Sequence, residues 1–303
     1  MNDGVHPRIG VIGLGAMGAR IATRLVWEHF NPQVYDVVDV SVRMFTNDVG
    51  GTMTGSPKMM AQTCDAIITV LPSADALQDV LYGWEGLAGG FASGGVVVDM
   101  GRSDPLITVE LGKRLAEREI HLIDAPALGT PAEARAGKLT LVIGGDETAI
   151  AKCQPLFDVL ASRSFRVGPV GSGQVVAAIG DFLRSVQILA ASEALRIAER
   201  FGVSSASVID VGQALSGIGP AMARLLQEQV LTRRFSTGLA LGHVLQGTAV
   251  TASLAEYTGI HAPLIAASRD AWAAAEAEIG SGADQSEIVR WLESVVVERP
   301  NQV

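Results

Sequence analysis

Residues 8–18 read Arg8-Ile9-Gly10-Val11-Ile12-Gly13-Leu14-Gly15-Ala16-Met17-Gly18, and the chain continues as ARIATRLV. A β-rich apolar run passes through a glycine-rich turn into a helical pattern, and this context gives the glycine spacing its meaning. Gly13 permits a tight turn, Gly15 lets backbone approach a pyrophosphate, and Gly18 lets helix and strand pack closely. The helix start then offers free N–H groups and the positive end of its dipole to phosphate. Gly13, Leu14, Gly15, Ala16, Met17 and Gly18 are therefore the expected cofactor-binding turn. Asp36 closes the next β-rich run, PQVYD, 23 residues after Gly13. A carboxylate there accepts both ribose hydroxyls of NAD and repels the 2′-phosphate of NADP, so NAD or NADP is expected, with NAD favoured. The alternative role for Asp36 is to cap the following helix.

Outward from this turn, residues 8–165 alternate apolar runs with segments of helical length. The runs are RIGVIGL, PQVYD, CDAIITVLP, GGVVVDM, IHLIDAP, LTLVIGG and SFRVG. Several helical segments open on capping residues, among them Ser56-Pro57 and Ser73. Strands alternating with helices imply a mostly parallel sheet covered on both faces. After GPVGSGQ the pattern becomes Ala- and Leu-rich and helical throughout. One long helix is expected from Gln174 to about Phe201, with others near 204–214, 219–231, 237–258, 262–278 and 284–297. The expected fold is an α/β N-terminal Rossmann domain with a doubly wound sheet (1–168), then an all-α C-terminal domain (169–303) entered by the long helix. The final ERPNQV is expected to fray.

Composition narrows the function classes. Hydrophobic residues are 48% and charged residues 18% of the chain, which permits a large core and argues against disorder. A net charge of -9 disfavours nucleic acid, whose phosphates need a basic face. The N-terminal MNDGVHP, with Asp3, lacks a signal-peptide pattern. The apolar stretch Val175–Leu195 is interrupted by Asp181, Arg184 and Glu193, so no membrane span is expected. Cys64 and Cys153 stand far apart without neighbouring His or Cys, pointing to a reducing compartment and no metal site. A cytoplasmic protein is the expectation.

The chain resembles the β-hydroxyacid dehydrogenase family, which includes 3-hydroxyisobutyrate and tartronate semialdehyde reductases. The likeness runs from GLGAMG through VLPSADALQDVL and VVVDMGRSDP to DAPALGTPAEARAGKLTLVIGG (124–145) and GSGQVVAAIGDFL (171–183). It implies hydride transfer between a nicotinamide and a small alcohol or aldehyde near the long helix. It also implies a homodimer or higher oligomer, and it adds Leu71 and Pro72 to the cofactor-binding residues. The departures from the family pattern are specific. Where the family shows D-A-P-V-S-G-G, whose serine and glycines cradle a substrate carboxylate, this chain has Asp124-Ala125-Pro126-Ala127-Leu128-Gly129-Thr130. Leu128 replaces the serine and Thr130 the second glycine, so Leu128, Gly129 and Thr130 are candidate substrate contacts of altered chemistry. Ala177 occupies the place of the family's proton-transferring lysine, and Gly242-His243-Val244 stands where K-D-L is common.

Two replacements for the lysine are available. Positions 177, 181, 184 and 188 share one helix face, so Asp181 lies one turn beyond the vacated position, with Arg184 beside it as a further substrate-binding candidate. His243 maps to a position the resemblance puts at the same cleft, and an imidazole titrates in the useful range. Asp181 and His243 are thus the candidate proton carriers. The structural alternatives are an Asp181–Arg184 ion pair and a satisfied helix histidine. Gln174 and Gln246 either line the cleft or face water. Three functions follow: a small-carbonyl dehydrogenase or reductase with a reassigned proton donor, an imine reductase with an apolar cleft, and a dinucleotide-binding protein without catalysis. The first is preferred.

Overall fold

The computed structural model describes residues 7–295; the expectations for Asp3 and for the ERPNQV tail lie outside them. Among the described residues nine strands form one sheet. They are β1 (Ile9–Ile12), β2 (Gln33–Tyr35), β3 (Thr52–Met53), β4 (Ala66–Thr69), β5 (Val96–Asp99), β6 (His121–Asp124), β7 (Ala127–Leu128), β8 (Leu139–Gly144) and β9 (Ala161–Gly168). Their order is β3-β2-β1-β4-β5-β6-β8-β7, with β9 also pairing to β8. The first six run parallel, in the order of a doubly wound nucleotide-binding fold, and β8 turns antiparallel to β6 and β7.

The sequence of each strand explains its place. All four residues of β1, β4 and β5 are buried, as continuous Val/Ile runs must be when helices cover both faces. Alternate side chains divide between two cores. Val11, Ile68, Val96 and Val98 pack with Ile21, Leu25, Ile150 and Phe157. Ile12, Ile67 and Val97 pack on the opposite side with Met60, Leu77, Leu81 and Leu111. Each such buried branched side chain contributes about 1.5–3 kcal/mol. The expected helix starts are present: Ser56 accepts from the Met59 N–H ahead of Pro57, and Ser73 from that of Ala76. The two-residue strands β3 and β7 were too short to leave an alternating pattern.

The long helix spans Ser172–Phe201, and the chain divides into two units between its Ala177 and Ala178. The second unit is helical, with helices Ser205–Ala214, Pro220–Leu225, Leu241–Thr258, Pro263–Ile279 and Ile288–Ser294 and a π-helical turn, Leu226–Leu231. The helix expected from 237 begins only at Leu241, because Asp284 holds Thr237 and Gly238 in a loop by accepting their N–H groups at 2.6 and 3.1 Å. Helix Ser172–Phe201 is long and apolar enough by composition to cross a membrane. Its Ile188, Leu189, Ala191 and Leu195 instead enter the second unit's core, with Leu226, Leu241, Trp272 and Ile288.

Candidate active site

Parallel pairing brings the last residues of five strands into one row: Tyr35, Ile12, Thr69, Asp99 and Asp124. The residues just beyond them form the loops of the carboxyl edge, where doubly wound sheets bind ligands. At Gly13 the backbone has φ +94° and donates to the Tyr35 carbonyl at 2.9 Å. A side chain at Gly13 would collide with the Val70 carbonyl oxygen, and one at Gly18 with the Gly13 carbonyl oxygen. Both glycines are demanded by the fold itself. Gly15 is different: a Cβ there would meet no protein atom within 4 Å, and its φ is not positive. The fold leaves that space clear, as the approach of a diphosphate to the backbone would require. Met17, at the N-cap of helix Gly18–Trp27, supplies no capping side chain, which leaves that helix end available to an anion.

Asp36 is half-buried beside the same turn. One carboxylate oxygen accepts the Leu14 N–H at 2.6 Å and the other the Val38 N–H at 2.8 Å. The carboxylate thus ties the end of β2 to the glycine turn. The helix that follows, Asp39–Asp48, is capped at Val38 with no side-chain bond. Leu71 is half-buried and Pro72 exposed just past β4. A Cβ on Gly101 would come within 2.7 Å of the Leu71 carbonyl oxygen, so the loops after β4 and β5 lie against each other.

The loop after β7 differs from expectation at Thr130. Its hydroxyl accepts the Glu133 N–H at 3.2 Å and donates to the Glu133 carboxylate at 3.0 Å, while that carboxylate accepts the Thr130 N–H at 2.8 Å. This is a capping box on helix Pro131–Arg135. Thr130 is therefore engaged within its own loop, and its hydroxyl is not held out for a substrate carboxylate. Gly129 is fixed by its backbone, with φ +148° and with Leu139 and Glu133 within 3.0 and 3.1 Å of a would-be Cβ. Leu128, in β7, is half-buried.

In the second unit Asp181 is buried at 7% exposure and paired with the guanidinium of Arg184. Helix Leu241–Thr258 approaches it at Gly247, where a Cβ would lie 2.6 Å from the Asp181 Cβ and 2.9 Å from its Oδ2. His243 is exposed, one turn before Gly247 on that helix, and Gln246 is also exposed. Ala177 is buried. Among the described residues no cluster of three or more His, Cys, Asp or Glu side chains is placed to hold a metal ion.

A buried polar network also sits at the carboxyl edge. Asp99 accepts from the Thr69 hydroxyl at 3.0 Å, the Gly101 N–H at 3.2 Å and the Ser103 hydroxyl at 2.8 Å. Asp124 accepts the N–H groups of Gly171 and Gln174 at 2.7 and 2.8 Å, capping the start of the long helix from another strand. Burial pushes the pKa of both carboxyls up, against the pull of these donors. The signal was present in sequence, since VVVD and HLID each end an apolar run on an acid. Spacing alone did not show that the two acids are neighbours.

This turn, acid and sheet order define a nicotinamide-dinucleotide-dependent oxidoreductase. Residues 8–168 match the NAD-binding domain of 6-phosphogluconate dehydrogenase, and residues 171–292 the corresponding domain of NADP-dependent 3-hydroxyisobutyrate dehydrogenase. The chain belongs to the β-hydroxyacid dehydrogenase family, as an NAD- or NADP-dependent enzyme acting on a small molecule. It is 28% identical to 2-hydroxy-3-oxopropionate reductase of Escherichia coli K12, across 94% of this chain and 97% of the relative. The solved 3-hydroxyisobutyrate dehydrogenase of Mycobacterium tuberculosis, a complex with L-serine, matches with a TM-score of 0.85 at 21% identity, covering 96% of this chain and all (100%) of that one. An imine reductase from Myxococcus stipitatus, a variant solved with NAD+, shares the fold with a TM-score of 0.65 at 18% identity, covering 94% and 99%.

Proposed function

We propose that this chain interconverts a small hydroxyl compound and its carbonyl counterpart, with NAD(H) preferred over NADP(H) and with a proton carrier other than lysine. The observation that carries the cofactor preference is the Asp36 carboxylate, which the Leu14 and Val38 N–H groups hold beside the glycine turn. Gly13 to Gly18, Asp36, Leu71 and Pro72 hold the dinucleotide in this reading. A bound nicotinamide supplies or accepts the hydride, and the protein supplies orientation, dryness and one proton.

Ala177 stands where the family's lysine is expected and cannot move a proton. Asp181 and His243 are proposed to take over that task, with Arg184 paired to Asp181 and meeting a polar substrate group. Leu128 and Gly129 line the substrate in place of a serine cradle, with Thr130 shaping that loop through its cap. The helical part of residues 169–303 is proposed as the substrate and dimerisation domain. Exposed apolar residues such as Ile197, Phe201, Leu215 and Tyr257 support a homodimer. The free buried thiols of Cys64 and Cys153 support a cytoplasmic setting.

A second reading is favoured by Leu128, an apolar side chain in place of a hydroxyl donor, and by the buried carboxylate of Asp181, since a carboxylate stabilises an iminium substrate as an imine reductase requires. The test is oxidation of NADH and NADPH against panels of aldehydes, 2-oxo acids, 3-oxo acids and cyclic imines. Turnover of a carbonyl with NADH, lost tenfold or more in Asp181→Asn or His243→Ala (about 1.4 kcal/mol of barrier), is expected. Unchanged rates in both variants refute the proton assignment, and turnover of imines alone selects the second reading. Cofactor binding without turnover on any panel makes the chain a non-catalytic dinucleotide-binding protein.

A further inference from the structure

Gln174 lies in the first turn of the long helix, at 2% exposure. Its backbone N–H is anchored on Asp124, and its side-chain amide points to the neighbouring strand. There the Nε2 donates to the Gly101 carbonyl at 3.0 Å and to the Asp99 carboxylate at 3.3 Å. Asp99 in turn receives the Thr69 hydroxyl, from the last residue of β4, and Gly101 rests on the Leu71 carbonyl. One buried amide thus ties the start of the long helix to the end of β5 and its loop, and Asp99 carries the tie on to Thr69 at the end of β4. With Asp36 at the end of β2 serving the adenosine ribose, the other half of a dinucleotide extends across the switch point, over β4 and β5.

We propose that Gln174 is a positioning residue for the nicotinamide half of the cofactor, acting through the Met100–Arg102 loop. It rests on the dinucleotide reading of the glycine turn. The loop carries no regular secondary structure from Met100 to Asp104, so hydrogen bonds from its surroundings define where it stands. Met100 pairs with Thr69 and Ala127, the Gly101 N–H and Ser103 hydroxyl bond Asp99, and the Gly101 carbonyl takes the Gln174 amide. A leucine at 174 preserves bulk but takes the amide donor from the Gly101 carbonyl and from Asp99, so the loop loses its tie to the start of the long helix. The adenosine and diphosphate contacts, on the other side of the switch point, are untouched.

The experiment compares dissociation constants of NADH and ADP-ribose, which lacks the nicotinamide, for the wild type and Gln174→Leu by calorimetry. The expected result is NADH binding weakened about tenfold with ADP-ribose binding unchanged, a difference of about 1.4 kcal/mol. A general structural defect weakens both probes alike, so a ratio unchanged within about twofold overturns the proposal, the bound corresponding to about 0.4 kcal/mol. If the leucine variant does not fold, Gln174→Asn, one methylene too short to make both bonds, carries the same expectation and the same refutation. A wild type that binds ADP-ribose but discriminates no further also overturns it. Binding of neither probe by the wild type removes the dinucleotide reading itself.

Discussion

Substituting the three turn glycines one at a time separates what the fold needs from what the cofactor needs. Gly13→Ala forces a side chain into φ +94° and against the Val70 carbonyl oxygen. Backbone strain of about 1–3 kcal/mol adds to overpacking of similar size, for a loss of roughly 2–6 kcal/mol. At roughly 2–4 °C per kcal/mol for a domain of this length, the melting temperature falls by about 4 °C at the least. Gly18→Ala, aimed at the Gly13 carbonyl, follows the same direction. Gly15→Ala meets no protein atom within 4 Å and starts from an ordinary φ. By restricting the unfolded chain it leaves stability unchanged or raises it by up to about 1 kcal/mol. The added methyl stands where the diphosphate must approach the backbone, and NADH binding is expected to weaken at least thirtyfold, about 2 kcal/mol. Differential scanning calorimetry and NADH titration of the three variants provide the measurement. A Gly15→Ala protein that melts as low as Gly13→Ala, or binds NADH as the wild type does, refutes the assignment of that space.

Arg184→Ala withdraws the guanidinium from a carboxylate whose side chain is only 9% exposed, while the arginine is 39% exposed. The cost lies between surface and buried pairs, about 1–3 kcal/mol, and urea unfolding is expected to show part of it restored in the Asp181→Asn/Arg184→Ala double variant. Strict additivity of the two changes counts against the pair. The thiols give a pH prediction: burial pushes Cys64 up to about 11 and Cys153 up to about 12. Raised values favour the neutral thiol, so at pH 8 roughly one Cys64 in a thousand is thiolate. Iodoacetamide is expected to label neither cysteine of the native protein and both after denaturation; rapid native labelling contradicts the burial.

Much of the fold was legible in the sequence because its signals are local. The RIGVI run, the glycine turn, Asp36 after PQVY and the Ser56 and Ser73 caps each act within a few residues. The candidate catalytic residues were less legible. Thr130 looks like a free hydroxyl until Glu133, three residues on, closes a capping box around it. Gln174 looks like a surface or cleft residue until Asp99 and Gly101, more than seventy positions earlier, take its amide.

By itself the sequence determined the order of the longer strands and helices and the glycine turn with its acid. Those properties follow from steric freedom at individual residues and from periodicity, which the chain carries wherever it goes. Only the tertiary structure decided that Asp99 and Asp124 share one row, that Gln174 is buried between them, and that Gly247 comes against Asp181. Such contacts depend on strand register and helix approach, and these are set by the packing of the whole sheet and bundle rather than by any one segment.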